Sequence, residues 1–89
     1  MYLLERQRKI LGLLLANEQR MTGSQIAQMI GITDRTVRND IKDLNEGLKE
    51  YPDSYVESIR GKGYLLVSKH KEELHRSNFQ DQKNLDKQP

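Results

Sequence analysis

Apolar residues recur at helical spacing in three successive stretches of the chain. In the first stretch they lie three or four positions apart, or next to such positions, which predicts a helix over about 3–17: Leu3, Leu4, Ile10, Leu11, Leu14 and Leu15. Thr22, Gly23 or Ser24 can begin a second helix. Gly31 is predicted to end that helix, because glycine adopts the left-handed conformation without a Cβ clash.

The third stretch has the strongest periodicity. Thr33 is a predicted N-cap, and Asp34 in the first turn suits the positive end of the helix dipole. A helix over about 34–49 is predicted from apolar residues spaced by four, three and four: Val37, Ile41, Leu44 and Leu48. Pro52 then breaks the pattern.

The period changes after Pro52. The stretch YVESIRGKGYLLV, residues 55–67, predicts two short strands around a turn at 60–63. The polar stretch 69–89 fits neither period, although a short helix at about 70–78 is compatible with it. The predicted fold class is therefore α+β: three helices, a two-stranded β wing and a polar C-terminal tail. We predict a domain over 1–68 and a polar linker or tail over 69–89.

Composition narrows the possible functions. The 89 residues suffice for one small domain, and their formal net charge is only +2. With no cysteine there is no disulfide framework or thiolate metal site. His70 and His75 lack partners at metal-ligand spacing, so we expect no metal and no cofactor. No signal peptide or membrane span is evident, so a cytoplasmic protein is expected.

The junction between the second and third predicted helices has the spacing of a helix–turn–helix. Ala27 is small enough for the two helix axes to approach closely. Gly31 permits a sharp turn, and Val37 closes the pair from the third helix. These residues predict a helix–turn–helix, the second helix of which can enter a DNA groove.

The charges on the third helix are largely sorted by face. At about 100° per residue, the face opposite Val37 and Ile41 carries cationic and amide side chains. Its outermost residues are Arg35, Asn39 and Lys42, with Thr36 and Arg38 on the flanks. Asp34 and Asp40 lie nearer the apolar side, whereas Asp43 falls on the outer side. A competing interpretation is a solvated helix carrying i,i+4 ion pairs.

These residue types suit DNA. Arginine can bond guanine O6 and N7 with its fork, and asparagine can bond adenine N6 and N7. Lys42 and the Thr36 hydroxyl suit phosphates or base edges. Arg60 and Lys62, in the predicted ribbon turn, suit phosphates or the minor groove. The sequence thus predicts a DNA-binding surface formed by Arg35, Thr36, Arg38, Asn39, Lys42, Arg60 and Lys62.

Two segments resemble a known family. MTGSQIAQMIGITDRTVRNDIKDLNEGL and IRGKGYLL resemble the N-terminal winged helix–turn–helix of bacterial sugar-operon activators controlled by the phosphotransferase system, such as mannitol- and lichenan-operon activators. The resemblance covers about 5–67, and the biotin-repressor helix–turn–helix is similar too. It implies a recognition helix over 33–48 in the major groove of double-stranded DNA, a wing over 55–67, and a homodimer in the full-length protein. His70 and His75 are not expected to be the phosphorylated histidines of such regulators.

Other functions are compatible with the same sequence. The same surface in a protein-interaction winged helix can bind an acidic partner, and a detached regulatory domain of a biotin ligase shares the pattern. We expect no enzymatic activity, because no nucleophile–base pair or phosphate loop occurs. Tyr64 is expected to pack on the core. A second group of residues can either complete the core or form a dimer interface: Tyr2, Leu3, Leu4, Leu74 and Phe79.

Overall fold

Four helices and one antiparallel ribbon follow one another along the chain. The computed structural model describes residues 2–86, with side chains through residue 78. The elements are α1 (Glu5–Ala16), α2 (Gly23–Ile30), α3 (Asp34–Leu48), β1 (Tyr55–Ile59), β2 (Gly63–Val67) and α4 (Lys71–Asp86). The α+β fold class predicted from the sequence is confirmed, with three helices followed by a two-stranded wing.

The end of α2 and the start of α3 form as the sequence predicts, and of the three candidates for the start of α2 the structure has Thr22 as the N-cap. Thr22 and Gln25 make a reciprocal capping box, in which the Thr22 hydroxyl accepts from the Gln25 N–H at 3.0 Å. Gly31 ends α2 with a φ of +83°. Thr33 caps α3 by accepting from the Thr36 N–H at 3.1 Å. The short connection from Gly31 to Thr33 therefore holds α2 and α3 as a helix–turn–helix.

The core forms where the apolar faces of the helices meet one face of the ribbon. Its fully buried side chains come from α1, α2, α3, β2 and α4: Ile10, Leu11, Ile26, Val37, Leu44, Leu48, Leu66 and Leu74. Asn45 joins α3 to the ribbon, because its amide oxygen accepts from the Val56 N–H at 2.7 Å. The core thus orients α3 and the ribbon relative to each other.

The ribbon has a backbone partner that the sequence pattern did not indicate. Met21, just before α2, exchanges two backbone hydrogen bonds with Tyr64, at 2.9 and 2.7 Å. Gly63 lies against Met21 so closely that a Cβ at position 63 would be 2.3 Å from the Met21 carbonyl oxygen. Glycine in a ribbon turn can let the backbone approach a DNA phosphate, but at Gly63 the close approach is to the Met21 backbone.

The C-terminal helix is longer than the sequence predicts. A short helix was compatible with 70–78, whereas α4 extends over Lys71–Asp86. Leu74 is fully buried, and the Asn78 side-chain amide donates to the Arg8 carbonyl at 3.2 Å. The sequence shows no apolar stripe here, because Leu74, Phe79 and Leu85 lie five and six positions apart and do not fit the helical period. The domain boundary at residue 68 stays a prediction.

Leu3 and Leu74 complete the core, whereas Tyr2 and Leu4 are exposed. The side chain of Phe79 lies outside the described residues. The expected dimer therefore stays a prediction.

Candidate nucleic-acid interface

The outer face of α3 presents four of the predicted DNA-contacting side chains to solvent. Arg35, Arg38, Asn39 and Lys42 are all exposed. Within residues 2–78, their side chains make no hydrogen bond or ion pair with other groups of the protein. This arrangement disfavours the solvated helix with i,i+4 ion pairs, in which these cations would pair with the aspartates of α3.

Asp40 is directed away from this face and toward α1. Its side chain is only about 2% exposed and forms a two-pronged pair with Arg6. Arg6 Nη2 lies 2.9 Å from Asp40 Oδ1, and the Gln7 amide donates to the same oxygen at 3.2 Å. Burial acts to raise the pKa of Asp40, but the hydrogen bonds from Arg6 and Gln7, with the charge of Arg6, outweigh it and lower that pKa.

Asp43 is held by the same part of α1. The sequence places it on the outer side of α3, where a carboxylate would repel phosphates. In the structure, the Gln7 amide donates to Asp43 Oδ2 at 2.9 Å. Asp43 is thus bound at its α1-facing edge while remaining exposed. Neither Arg6 nor Gln7 could be singled out from the sequence, because each lies more than 30 positions from its partner.

Thr36 lies on the flank of the interface and is half-buried. Its hydroxyl lies 2.9 Å from the Thr33 hydroxyl, and the two form a hydrogen bond. A hydroxyl group has one donor and two acceptor positions, so Thr36 retains capacity for a phosphate oxygen or a base edge. Its role in binding DNA stays a prediction.

The wing presents the remaining two cations at its tip. Residues 60–62 connect Ile59 to Gly63, which are the last paired residues of β1 and β2. The Lys62 N–H donates to the Ile59 carbonyl at 2.9 Å, and Gly61 has a φ of +81°. Arg60 and Lys62 are exposed and form no ion pair within the described part of the chain. The turn therefore leaves both side chains in solvent at the end of the ribbon.

An open groove brings α3 and the wing together. It has a volume of about 710 Å³ and is lined by residues of α2, α3 and the ribbon, including Thr22, Ser24, Asp34, Arg38, Ser58, Arg60 and Tyr64. The Ser24 hydroxyl donates to Asp34 Oδ2 at 3.2 Å. Two of the predicted contact residues, Arg38 and Arg60, thus share one concave surface. The Tyr64 side chain is half-buried and packs against the core, as expected.

Metal-binding clusters and membrane-spanning helices are both absent from the part of the chain that the structure describes. These residues contain no group of three histidine, aspartate or glutamate side chains that could hold a metal ion. None of the helices in the same residues combines the length and apolar character needed to span a bilayer.

A three-helix body with a helix–turn–helix, followed by a basic two-stranded ribbon, defines a winged helix–turn–helix, the class of DNA-binding transcription regulators. A family model described as an HTH domain matches residues 6–65. The chain therefore belongs to this family of helix–turn–helix domains.

One curated relative is the "Probable licABCH operon regulator" of Bacillus subtilis (strain 168). The two are 48% identical over 61 residues, a match that covers 68% of this chain and 9% of the regulator. The chain thus spans less than a tenth of the length of that relative. The resemblance to the N-terminal domains of phosphotransferase-controlled regulators is confirmed by the family and relative together.

Proposed function

We propose that this chain is the sequence-specific, double-stranded-DNA-binding domain of a bacterial transcription regulator, acting in the cytoplasm on a sugar-utilisation operon. The relative described as an operon regulator supports the biological setting. The recognition helix, about 33–48, enters the major groove, and the wing, about 55–67, contacts phosphates or the minor groove. The domain acts by binding, not by catalysis, and it forms a homodimer in the full-length protein.

The observation that carries the proposal is the separation of charge on α3. Its exposed cations and Asn39 have no intramolecular partners within residues 2–78, whereas the carboxylates of Asp40 and Asp43 are bonded to α1. A helix that served only solubility would not require this separation. A helix that enters a major groove does, because unpaired carboxylates there would repel the phosphate backbone.

The residues divide into two roles. Arg35 and Asn39 have the side chains that read guanine and adenine edges, and we assign them base recognition. Lys42, Arg38, Thr36, Arg60 and Lys62 position the domain on phosphates, with Arg60 or Lys62 also able to enter the minor groove.

Selection from a random duplex library tests this division. The wild-type chain is expected to enrich one motif, and R35A/N39A is expected to lose it while retaining salt-dependent binding to random duplex, because base contacts specify and phosphate contacts do not. The matched control K9A/Q28A removes one cation and one amide from exposed positions on α1 and α2, and it should enrich the wild-type motif.

Two outcomes would contradict the proposal in different ways. Enrichment of the same motif by R35A/N39A would show that α3 does not read the bases through these residues. Absence of salt-dependent binding by the wild-type chain to any duplex would instead favour a domain that binds an acidic protein.

A further inference from the structure

Arg20 reaches from the α1–α2 connection to both strands of the wing. Its guanidinium pairs with the Glu57 carboxylate on β1. Nη1 also donates, at 3.3 Å, to the carbonyl oxygen of Gly63, which is the first residue of β2. The Arg20 side chain is only 22% exposed, so these contacts are partly shielded from water. Neither the helical pattern nor the charge pattern of the sequence indicated this role.

The neighbouring residue strengthens the same junction. Met21 pairs with Tyr64 through two backbone hydrogen bonds, and Gly63 lies flush against the Met21 carbonyl. Arg20 and Met21 together therefore hold the wing over the last three residue pairs before its tip. Only residues 60–62 lie beyond this point.

Arg20 also pairs with the wing's acidic residue. Glu57 is the one acidic residue in 55–67, and it lies three positions from Arg60. Because Arg20 engages Glu57, the cations at the tip, Arg60 and Lys62, dominate the charge of the exposed end of the ribbon. The guanidinium of Arg20 is itself directed toward the ribbon.

We propose that Arg20 is a positioning residue for the wing: it orients Arg60 and Lys62 for DNA and does not contact DNA itself. This inference rests on the proposed function, since it assigns Arg20 a role through the DNA-contacting tip. Its mechanism is local, because Arg20 ties β1 and β2 to the connection that precedes α2. Loss of Arg20 should free the tip while leaving α3 in place.

The first test uses the free protein. Backbone ¹⁵N relaxation should show the amides of Gly61 and Lys62 becoming flexible in R20A, with order parameters falling below about 0.6, while Asn39 on α3 stays near the rigid value of about 0.85. Unchanged order parameters at the tip would overturn the inference. A loss of order at Asn39 as well would show a general structural effect and would equally overturn it.

The second test is a double-mutant cycle on random duplex DNA. R20A is expected to weaken binding by about threefold to tenfold in the wild-type wing and to have no effect in the R60A/K62A background, because coupled residues are non-additive. Equal effects in both backgrounds would mean that Arg20 acts on DNA binding independently of Arg60 and Lys62, and would overturn its role as a positioning residue.

A third test removes the carboxylate that pairs with Arg20, and the direction of the change in DNA affinity decides between two explanations. E57A takes a negative charge away from the ribbon, so simple electrostatics predicts tighter DNA binding. Positioning predicts weaker binding, because Arg20 loses its side-chain acceptor on β1. The control E72A removes an exposed carboxylate from α4 and should not weaken binding. Tighter binding by E57A would overturn the inference.

The relaxation and binding experiments separate failure of the inference from failure of the proposed function. If the wild-type chain bound no duplex while R20A still loosened the tip, the proposed function would be wrong and Arg20 would still position the wing. If the wild-type chain bound DNA and the cycle were additive, only the role of Arg20 would be wrong.

Discussion

Asp40 lies on a helix with three exposed cations, yet its carboxylate pairs with a cation from another helix. Arg6 approaches it through two nitrogens, and Gln7 donates to it and to Asp43. A buried carboxylate without such donors would be strongly destabilising. At the scale of single residues, the cationic character of the α3 surface therefore depends on two side chains of α1.

The lowered pKa of Asp40 predicts a particular response to acid. The unfolded chain has an aspartate pKa of about 3.9, above the folded value, so it binds the proton more readily. The ionised Asp40 carboxylate therefore stabilises the fold fully at pH values above the aspartate pKa of the unfolded chain. This stabilisation is lost as the pH falls through the lower pKa that Asp40 has in the folded protein. D40N should lower the free energy of unfolding at neutral pH by about 1–2 kcal/mol, through the loss of charge-assisted hydrogen bonds.

Urea unfolding between neutral pH and pH 3 measures this contribution. The free energy of unfolding of the wild-type chain should fall more steeply below about pH 4 than that of D40N, because D40N has no carboxylate to protonate. The control E18Q, at an exposed position, should follow the wild-type curve. Parallel curves for D40N and the wild type would show that Asp40 contributes no acid sensitivity.

At the scale of secondary structure, α3 has neighbours on different sides. Its apolar side meets the core, and Asp40 and Asp43 face α1. Asn45 bonds β1, which leaves one face, with Arg35, Asn39 and Lys42, for solvent. The exposed face is therefore defined by what packs around the helix as much as by its own sequence.

The packing of α4 on α1 yields a prediction for this element. Leu74 is fully buried in the core, so L74A leaves a cavity and should lower the free energy of unfolding by about 2–5 kcal/mol. H75A changes the adjacent exposed residue and should have an effect within about 0.5 kcal/mol. Chemical denaturation of the three chains measures the difference. Equal stabilities of L74A and the wild type would mean that residues 69–89 form an independent tail.

For the whole molecule, the formal net charge of +2 says little about binding. The placement of the charges is more informative: exposed, unpaired cations lie on the outer face of α3 and at the wing tip, within the described residues. Several acidic side chains are paired elsewhere, as in Lys49–Glu46 and Lys69–Asp53. The molecule therefore has a basic surface despite its low net charge.

Because Arg60 and Lys62 at the wing tip belong to this basic surface, their removal is expected to change the salt dependence of DNA binding. Removal of one cation from a phosphate should reduce the slope of log K against log salt by about 0.9, so R60A/K62A should flatten it by about 2. Fluorescence anisotropy with random duplex DNA at several salt concentrations measures the slope. The control K9A/K71A removes two exposed cations from α1 and α4 and should preserve it. An unchanged slope in R60A/K62A would remove the wing from the interface.

The sequence by itself determined the two helices of the helix–turn–helix, the Thr33 cap, the turn at Gly31 and the residues that form the ribbon, and it left three candidate starts for α2. These features depend on residues a few positions apart: apolar spacing, the Thr22 and Thr33 hydroxyls, and the positive φ of Gly31. The exposed face of α3 followed from the same spacing, so its candidate contact residues could also be proposed from sequence.

Only the tertiary structure decided what surrounds that face. The Gln7–Asp43 bond joins residues 36 positions apart, the Arg20–Gly63 bond residues 43 apart, and the Asn78–Arg8 bond residues 70 apart. No local period carries such pairs, because they form only when separate elements are brought together by burial of their apolar faces. Thus local spacing determined α3 and its exposed face, and long-range packing decided where its carboxylates, the wing and α4 are held.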